Sequence, residues 1–378
     1  MLLNFIKKKQ PPLSKSLKKI KRLLVSKDPL EKRNLTIEDE KRLNKIKSTT
    51  HFLNKNNVTR TKAYIDFYKR HPEIHWAFLA HMVSRNGGWN MTDLKGGFLS
   101  RLLSKKESNA FFNFLERSNW LIFQDAYPQF LVYEESKRSG KNLFYYLPHL
   151  HVSTFMETAW NHFWNEADSY LLTISLIINE QNYIESRVLK NQTFQKNIFN
   201  TVEFKLQDFL ALSHILFPYT KNGKRKLIGQ TLHQFESLHE RILLGKRLYN
   251  ILFYDAERLH SFEKWAMEHP HSGSRMDYWP HLFHYVNEEV PGKGFMPRIK
   301  SCSIVPGLPR IYSPKLEFSW KNQKHDPADV GDWYQDWRII HYLTVLEDHV
   351  DGEIEDEYCK TLEKLELAAI TKKIIAPF

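Results

Sequence analysis

The sequence predicts an all-α (predominantly helical) protein, a multi-helix globular array interrupted by one long irregular segment before its C-terminal helices. Three observations carry that expectation. Apolar residues recur at helical spacing through 58–268 and again through 329–378. Eight of the 16 prolines fall within 270–327, so helix-breaking residues are concentrated in one place. The 25 Phe, 17 Tyr and 10 Trp supply enough large apolar surface for a core that needs no staples.

In chain order, residues 1–27 hold nine basic and no acidic side chains, including Lys7, Lys8, Lys9, Lys15, Lys18, Lys19, Lys21 and Arg22. Leu13, Leu17, Ile20 and Leu24 share one helical face, which makes this a basic amphipathic segment suited to an anionic membrane surface or a nucleic acid. A solvated tail is the plainer reading of the same charges. Residues 1–50 carry +10 of the net +12, leaving the body nearly neutral, which argues against a nucleic-acid enzyme that spreads its basic residues over a working surface. Residues 1–57 are therefore set apart as a tail and linker helix. Within them Thr36 and Asp39 stand at capping-box spacing before Leu43 and Ile46.

The main helical domain is expected over 58–269. A first helix runs to about Arg70, and a second begins at Pro72 and ends at Asn86-Gly87-Gly88, where glycine suits a helix C-cap. Further helices are predicted over 92–136, 152–166, 168–191, 194–217 and 226–268. The segment 270–328 reads as irregular chain packed on the body, with at most a short hairpin near Pro306-Gly307. A helix over Asp329–His349 and one more after the acidic residues 351–357 complete the same globular unit. On the first of these, Trp333, Trp337, Ile340 and Leu343 fall at helical spacing and read as core.

Composition narrows the function classes. The strongly apolar uncharged mid-chain run Ser169–Asn179 is about half a membrane span, and the opening residues reverse the charge order of a signal peptide. A cytoplasmic protein is expected, with the tail allowing peripheral attachment at the inner face of the membrane. Cys302 and Cys359 are a poor basis for a disulfide framework, so a reducing compartment fits best. No phosphate-binding loop, dinucleotide fingerprint, nucleophile elbow or zinc-finger spacing is present. Two uninterrupted Glu-x-x-His pairs, Glu236/His239 and Glu257/His260, are about what 27 Glu and 18 His produce by chance, and no metal or cofactor is expected.

Three places gather polar residues against apolar surroundings. The first is the stretch 85–93, where Arg85, Asn86, Asn90 and Asp93 flank Trp89 and two glycines, with His81 one turn earlier on the same face. Read structurally, the same residues are helix caps and a core plug. The second is Glu180, whose helical neighbours Leu176, Ile177, Tyr183 and Ile184 are apolar or aromatic. A carboxyl there must be paired, protonated or functional, and Glu185 and Arg187 stand close enough in sequence to join a network. The third is 272–284, where Arg275, Asp277, Tyr278 and His281 form either an anion-holding loop or a brace.

The strings Asn57-Val-Thr-Arg-Thr-Lys-Ala-Tyr64, His71-Pro-Glu-Ile-His-Trp76 and Ser84-Arg-Asn-Gly-Gly-Trp-Asn-Met-Thr-Asp-Leu-Lys-Gly96 resemble the YppC-like family of endospore-forming Gram-positive bacteria, a domain of unknown function. The likeness extends through Asn179–Arg187 and Arg275–His281 to the C-terminal helices. It implies a bacterial, cytoplasmic protein and supplies no catalytic residue. Two functions from different classes follow from the residues themselves. One is a non-catalytic binding protein whose tail meets anionic surfaces. The other is a hydrolase-type enzyme with a helical pocket near Glu180, the 85–93 stretch and the 272–284 segment.

Overall fold

The computed structural model describes residues 12–26, 34–190, 212–289, 296–344 and 351–375. Of these residues, 63% are helical and 8% lie in strands, as the apolar periodicity predicts. The longer helices are α1 (Lys15–Val25), α2 (Ile37–Leu53), α3 (Asn57–Arg70), α4 (His75–Asp93), α5 (Lys105–Ser139), α6 (Thr154–Glu166), α7 (Ser169–Ile184), α8 (Leu238–Phe253), α9 (Ala256–Glu268) and α10 (Glu355–Ile375). A hairpin of β1 (His214–Lys221) and β2 (Lys224–Thr231) sits between α7 and α8.

Local chemistry explains most of the helix starts. Thr36 and Asp39 form the predicted capping box, and Asn56/Thr59 and Ser104/Glu107 form two more. Antiparallel α3 and α4 pack on α5 and α7, and an aromatic stack of Tyr64, Phe67, Trp76, Phe123, Tyr127 and Phe130 fills the space between them. All six rings are buried. Helix α8 closes the arrangement against α7, and β1 lies along α4 and α9.

Several boundaries differ from those expected. Pro72 occupies a turn, and α4 begins three residues later at His75. Helix α4 also runs straight through Asn86-Gly87-Gly88 to Asp93, because these residues serve packing contacts rather than a cap. The long helix expected over 92–136 starts at the Ser104 cap, after a turn and a short helix at Leu99–Leu102. Residues 191–211, most of the helix expected over 194–217, lie outside the described residues. His214 onward is strand, not helix, and β2 takes the start of the 226–268 stretch. Residues 329–336 are not helical and only Trp337–Leu343 forms a 3-10 helix, because Trp333 donates instead to Asn179 Oδ1 at 2.8 Å and Tyr334 to the Leu24 carbonyl at 3.2 Å. Residues 345–350 lie outside the described set.

The proline-rich segment is irregular, as predicted, and its short hairpin turns at Ser301-Cys302 rather than at Pro306-Gly307. That turn places Cys302 against α10, where it is joined to Cys359 across 57 residues with a Cα separation of 5.4 Å. The two cysteines therefore form one cross-link, which their distance in sequence hides. Lys7, Lys8 and Lys9 lie outside the described residues. In α1 the predicted apolar face is real, but Leu17, Ile20 and Leu24 are buried against α6 and the 337–343 turn. Lys19 pairs with Glu166 at 3.0 Å, and Lys21 stands 3.6 Å from the centre of the Trp337 ring. Lys15, Lys18, Lys19 and Arg22 remain exposed. No helix among the described residues is long and apolar enough to cross a membrane.

A cavity with one uncommitted carboxyl

Helices α3, α4, α5, α7 and α8, with the entry to β1, enclose a cavity of about 250 Å³. Its wall is mostly apolar: Trp76, Leu79 and Val83 from α4, Phe111, Phe114 and Ile122 from α5, Ile177 and Ile184 from α7, and Leu244 and Leu248 from α8. The sequence permits α8 to lie this close because position 245 is glycine. A β-carbon there would stand 2.6 Å from Ile177 Cγ2, so any side chain would push the two helices apart.

Glu180 lies in this wall. Leu176, Ile177, Tyr183 and Ile184 are all buried around it, as the helical spacing predicts. The carboxyl itself stays partly accessible, and it lines the cavity. Burial pushes its pKa up to about 7, against a partial pull downward from Arg241 and from a hydrogen bond. That bond comes from the neighbouring Gln181, whose Nε2 donates to Glu180 Oε1 at 3.0 Å. The partner that the sequence suggests for this carboxyl, Arg187, does not supply the bond. Gln181 stands in that place because Arg241 Nε donates to its Oε1 at 2.9 Å, which orients the amide toward Glu180.

Arg241 is fully engaged. Its Nη1 donates to the Phe235 carbonyl and its Nη2 pairs with Glu185, so its charge is met by a carboxylate other than Glu180. The second cation at the wall, Arg60 on α3, is paired with Glu116 on α5, and both are buried. Arg187 does not join this group. The chain turns through a π-helix at Glu185–Leu189, which rotates Arg187 out of line with Glu180. Its guanidinium lies 3.9 Å from the Tyr183 ring centre and donates to the Asp329 and Gly331 carbonyls.

The other candidates gather behind the cavity as a brace between α4 and residues 269–278. Arg85 is buried, donates to the His269 carbonyl, meets His81 Nε2 at 3.2 Å, and has its guanidinium 4.5 Å from the Trp265 ring centre. Arg275 donates to Asp93 at 2.6 Å, to the Tyr278 hydroxyl at 2.7 Å and to Asn90 at 3.1 Å. Asp277 accepts from Ser272 and from Trp89 Nε1, and stands 3.2 Å from His271 Nδ1. His271 Nε2 in turn lies 2.9 Å from Asn57 Oδ1.

Asn86 and Asn90 belong to both the brace and the cavity wall. Asn86 pairs with the Leu216 backbone in both directions, and Asn90 donates to the Leu212 carbonyl, so each ties α4 to the β1 region. Of the candidates, then, Glu180, Asn86 and Asn90 share the cavity. His81, Arg85, Trp89, Asp93, Arg275, Asp277 and Tyr278 share the brace. His281 is exposed, next to the Trp279 ring and apart from both groups.

Sequence reasoning missed Arg241, Gln181, Arg60 and Ser213, the last a buried wall residue whose hydroxyl lacks a partner among the described residues. Arg241 carries the signal that singled out Glu180, a charge whose helical neighbours Leu244 and Leu248 are apolar. No group of three or more His, Cys, Asp or Glu among the described residues is placed to hold a metal ion.

The model of a family described as a protein of unknown function, DUF2515, matches residues 53–357. An uncharacterized protein of Bacillus subtilis (strain 168), YppC, is 45% identical over 318 residues, covering 81% of this chain and 95% of that protein. No solved structure is significantly similar. With a match that spans the cavity and the brace alike, the chain belongs to the DUF2515 family, whose function is unknown.

Proposed function

We propose that this protein is a non-catalytic binding protein, holding a small, mostly apolar molecule in its cavity and using its basic N-terminal segment to meet an anionic surface. One observation carries the reading: a cavity of about 250 Å³ with an apolar wall and a single uncommitted carboxyl. Enclosed apolar space of about 150 Å³ already suffices for benzene, so this one has room for an aromatic ring with a short chain. The brace favours binding over hydrolysis. Arg85, Arg275 and Asp277, the groups a hydrolase would turn toward a substrate, are spent on neighbouring side chains and on the backbone.

The hydrolase alternative draws on the same Glu180, since a carboxyl held near pH 7 is what a general acid requires. It lacks support for a second catalytic group beyond the Ser213 hydroxyl.

The cavity reading is tested with 4-phenylbutan-1-ol, followed by ligand-observed NMR. Binding is expected to the native protein and not to Ala80→Trp, which fills the space from α4. Equal signals from both proteins would count against an internal site. The surface reading is tested with vesicles containing anionic lipid and with duplex DNA, using a Lys15→Glu, Lys18→Glu, Arg22→Glu triple variant. These three side chains point to solvent, so the change leaves α1 docked. Retention of full binding by the triple variant would remove α1 from the proposal.

A further inference from the structure

We propose that the cavity is built for an apolar molecule carrying one cationic amine, which Glu180 receives. The inference rests on the cavity reading above and names the chemistry of its occupant.

The argument is one of charge compensation at the wall. Each arginine that reaches the cavity meets a counter-ion: Glu116 for Arg60, and for Arg241 Glu185, which Lys190 also approaches at 3.7 Å. His325 also stands 3.5 Å from Glu116, so that side of the wall holds no surplus negative charge. Gln181 spends its oxygen on Arg241 and its amide hydrogens on Glu180 Oε1. Among the described residues this leaves Glu180 as the one carboxyl of the wall, with no ion pair of its own, and its second oxygen accepts no hydrogen bond. Ionised, it presents a negative charge to a mostly apolar space, where Arg241 exerts a partial pull but directs its donors to other groups. A ligand ammonium supplies both the missing charge and the missing donors. A ligand carboxylate would add a second negative charge to the same wall.

The groups facing Glu180 from the packed elements agree with this polarity. Tyr64 on α3 is buried and its hydroxyl is held neutral, pushed well above its ordinary value. Helix α4 contributes Asn86 and Asn90, both neutral, and α5 contributes Asn119 and Ser118. Arg241 on α8 is the nearest cation, and it points its donors at Glu185, Gln181 and the Phe235 carbonyl. When no ligand is present, burial pushes Glu180 up to about 7, so a large share of it is protonated at and below neutral pH. Amine binding therefore ionises Glu180 and releases its proton, which ties affinity to pH.

Three probes of one shape separate the possibilities: 4-phenylbutylamine, 4-phenylbutan-1-ol and 4-phenylbutanoate, titrated against the full chain by calorimetry and ligand-observed NMR. At pH 8 the amine is expected to bind at least about tenfold more tightly than the alcohol, with the carboxylate weakest. The amine's advantage should shrink toward pH 6, and Glu180→Gln should abolish it while leaving alcohol binding intact. An amine bound no better than the alcohol, or a preference that survives Glu180→Gln, overturns the charge assignment and leaves the cavity reading standing. Failure of all three probes to bind at millimolar concentration overturns both.

Discussion

Gly88 lies directly against His271. A methyl group on its α-carbon would stand 2.3 Å from the imidazole Nε2 and 2.3 Å from Asn57 Oδ1. The glycine is therefore what lets the Asp277–His271–Asn57 chain cross the face of α4. In a helix interior, replacing glycine by alanine ordinarily gains about 1 kcal/mol. Here Gly88→Ala should instead cost about 2–4 kcal/mol, because it overpacks a buried polar chain that has no room to move. Urea denaturation measures it, and a stabilised variant would show that the chain can yield.

The brace makes a related prediction. Arg275 holds Asp93, Tyr278 and Asn90 through three different nitrogens, a fork that a lysine ammonium cannot reproduce. Arg275→Lys should lower stability by about 2–4 kcal/mol, the range expected when a buried pair is weakened. Binding of a cavity probe to the fraction still folded should be nearly unchanged, since Arg275 is behind the wall. A selective loss of binding at unchanged stability would identify Arg275 as part of the ligand site.

How much of this was legible in the sequence differs from element to element. The all-α class, the Thr36/Asp39 capping box and the apolar surroundings of Glu180 follow from periodicity, which local spacing records directly. The Gly87-Gly88 pair reads as a cap because glycine at a helix end and glycine under a tertiary contact look alike in one dimension. Only His271, nearly two hundred residues away, distinguishes them. The β1–β2 hairpin is different, because its signal was present. Asn222-Gly223 is a preferred two-residue hairpin turn, and both residues adopt positive φ, 51° and 71°. The basic, helix-compatible residues around it masked that turn. The Glu180–Gln181–Arg241–Glu185 cluster was half visible, since each charge breaks an apolar face, but their convergence depends on how α8 packs on α7.

Stability should depend on pH in a definite direction. Asp125, Glu157 and Glu180 are each pushed up to about 7, chiefly by burial. A carboxyl whose folded value is raised favours the folded state when protonated. That contribution is fully present below the unfolded value near 4 and is lost as pH rises through about 7. Asp39, Glu134 and Glu288 are held down to about 2 by their hydrogen-bond partners, so their contribution fades only in strong acid. Burial also pushes His75, His81 and His271 below their ordinary value, an opposing trend that ends near about pH 6.5, so thermal unfolding should show stability falling between about pH 6.5 and 7.5. A flat profile across that interval would contradict the raised values.

Helix α1 is held to the body by its apolar face, which separates two roles that the sequence runs together. Leu17, Ile20 and Leu24 are buried, with Ile20 only 2% exposed, so the face predicted to enter a membrane is already covered by α6 and the 337–343 turn. Ile20→Asp places a charge in that contact and should detach the helix. The body loses the contact, so unfolding should come at lower denaturant concentration, and removing a buried aliphatic residue here should cost about 2–4 kcal/mol. Binding to anionic vesicles should rise, because the freed segment can then present Leu17 and Leu24 together with its lysines. If binding instead falls to the level of the charge-reversed triple variant, the docked helix itself is the surface that anionic partners read.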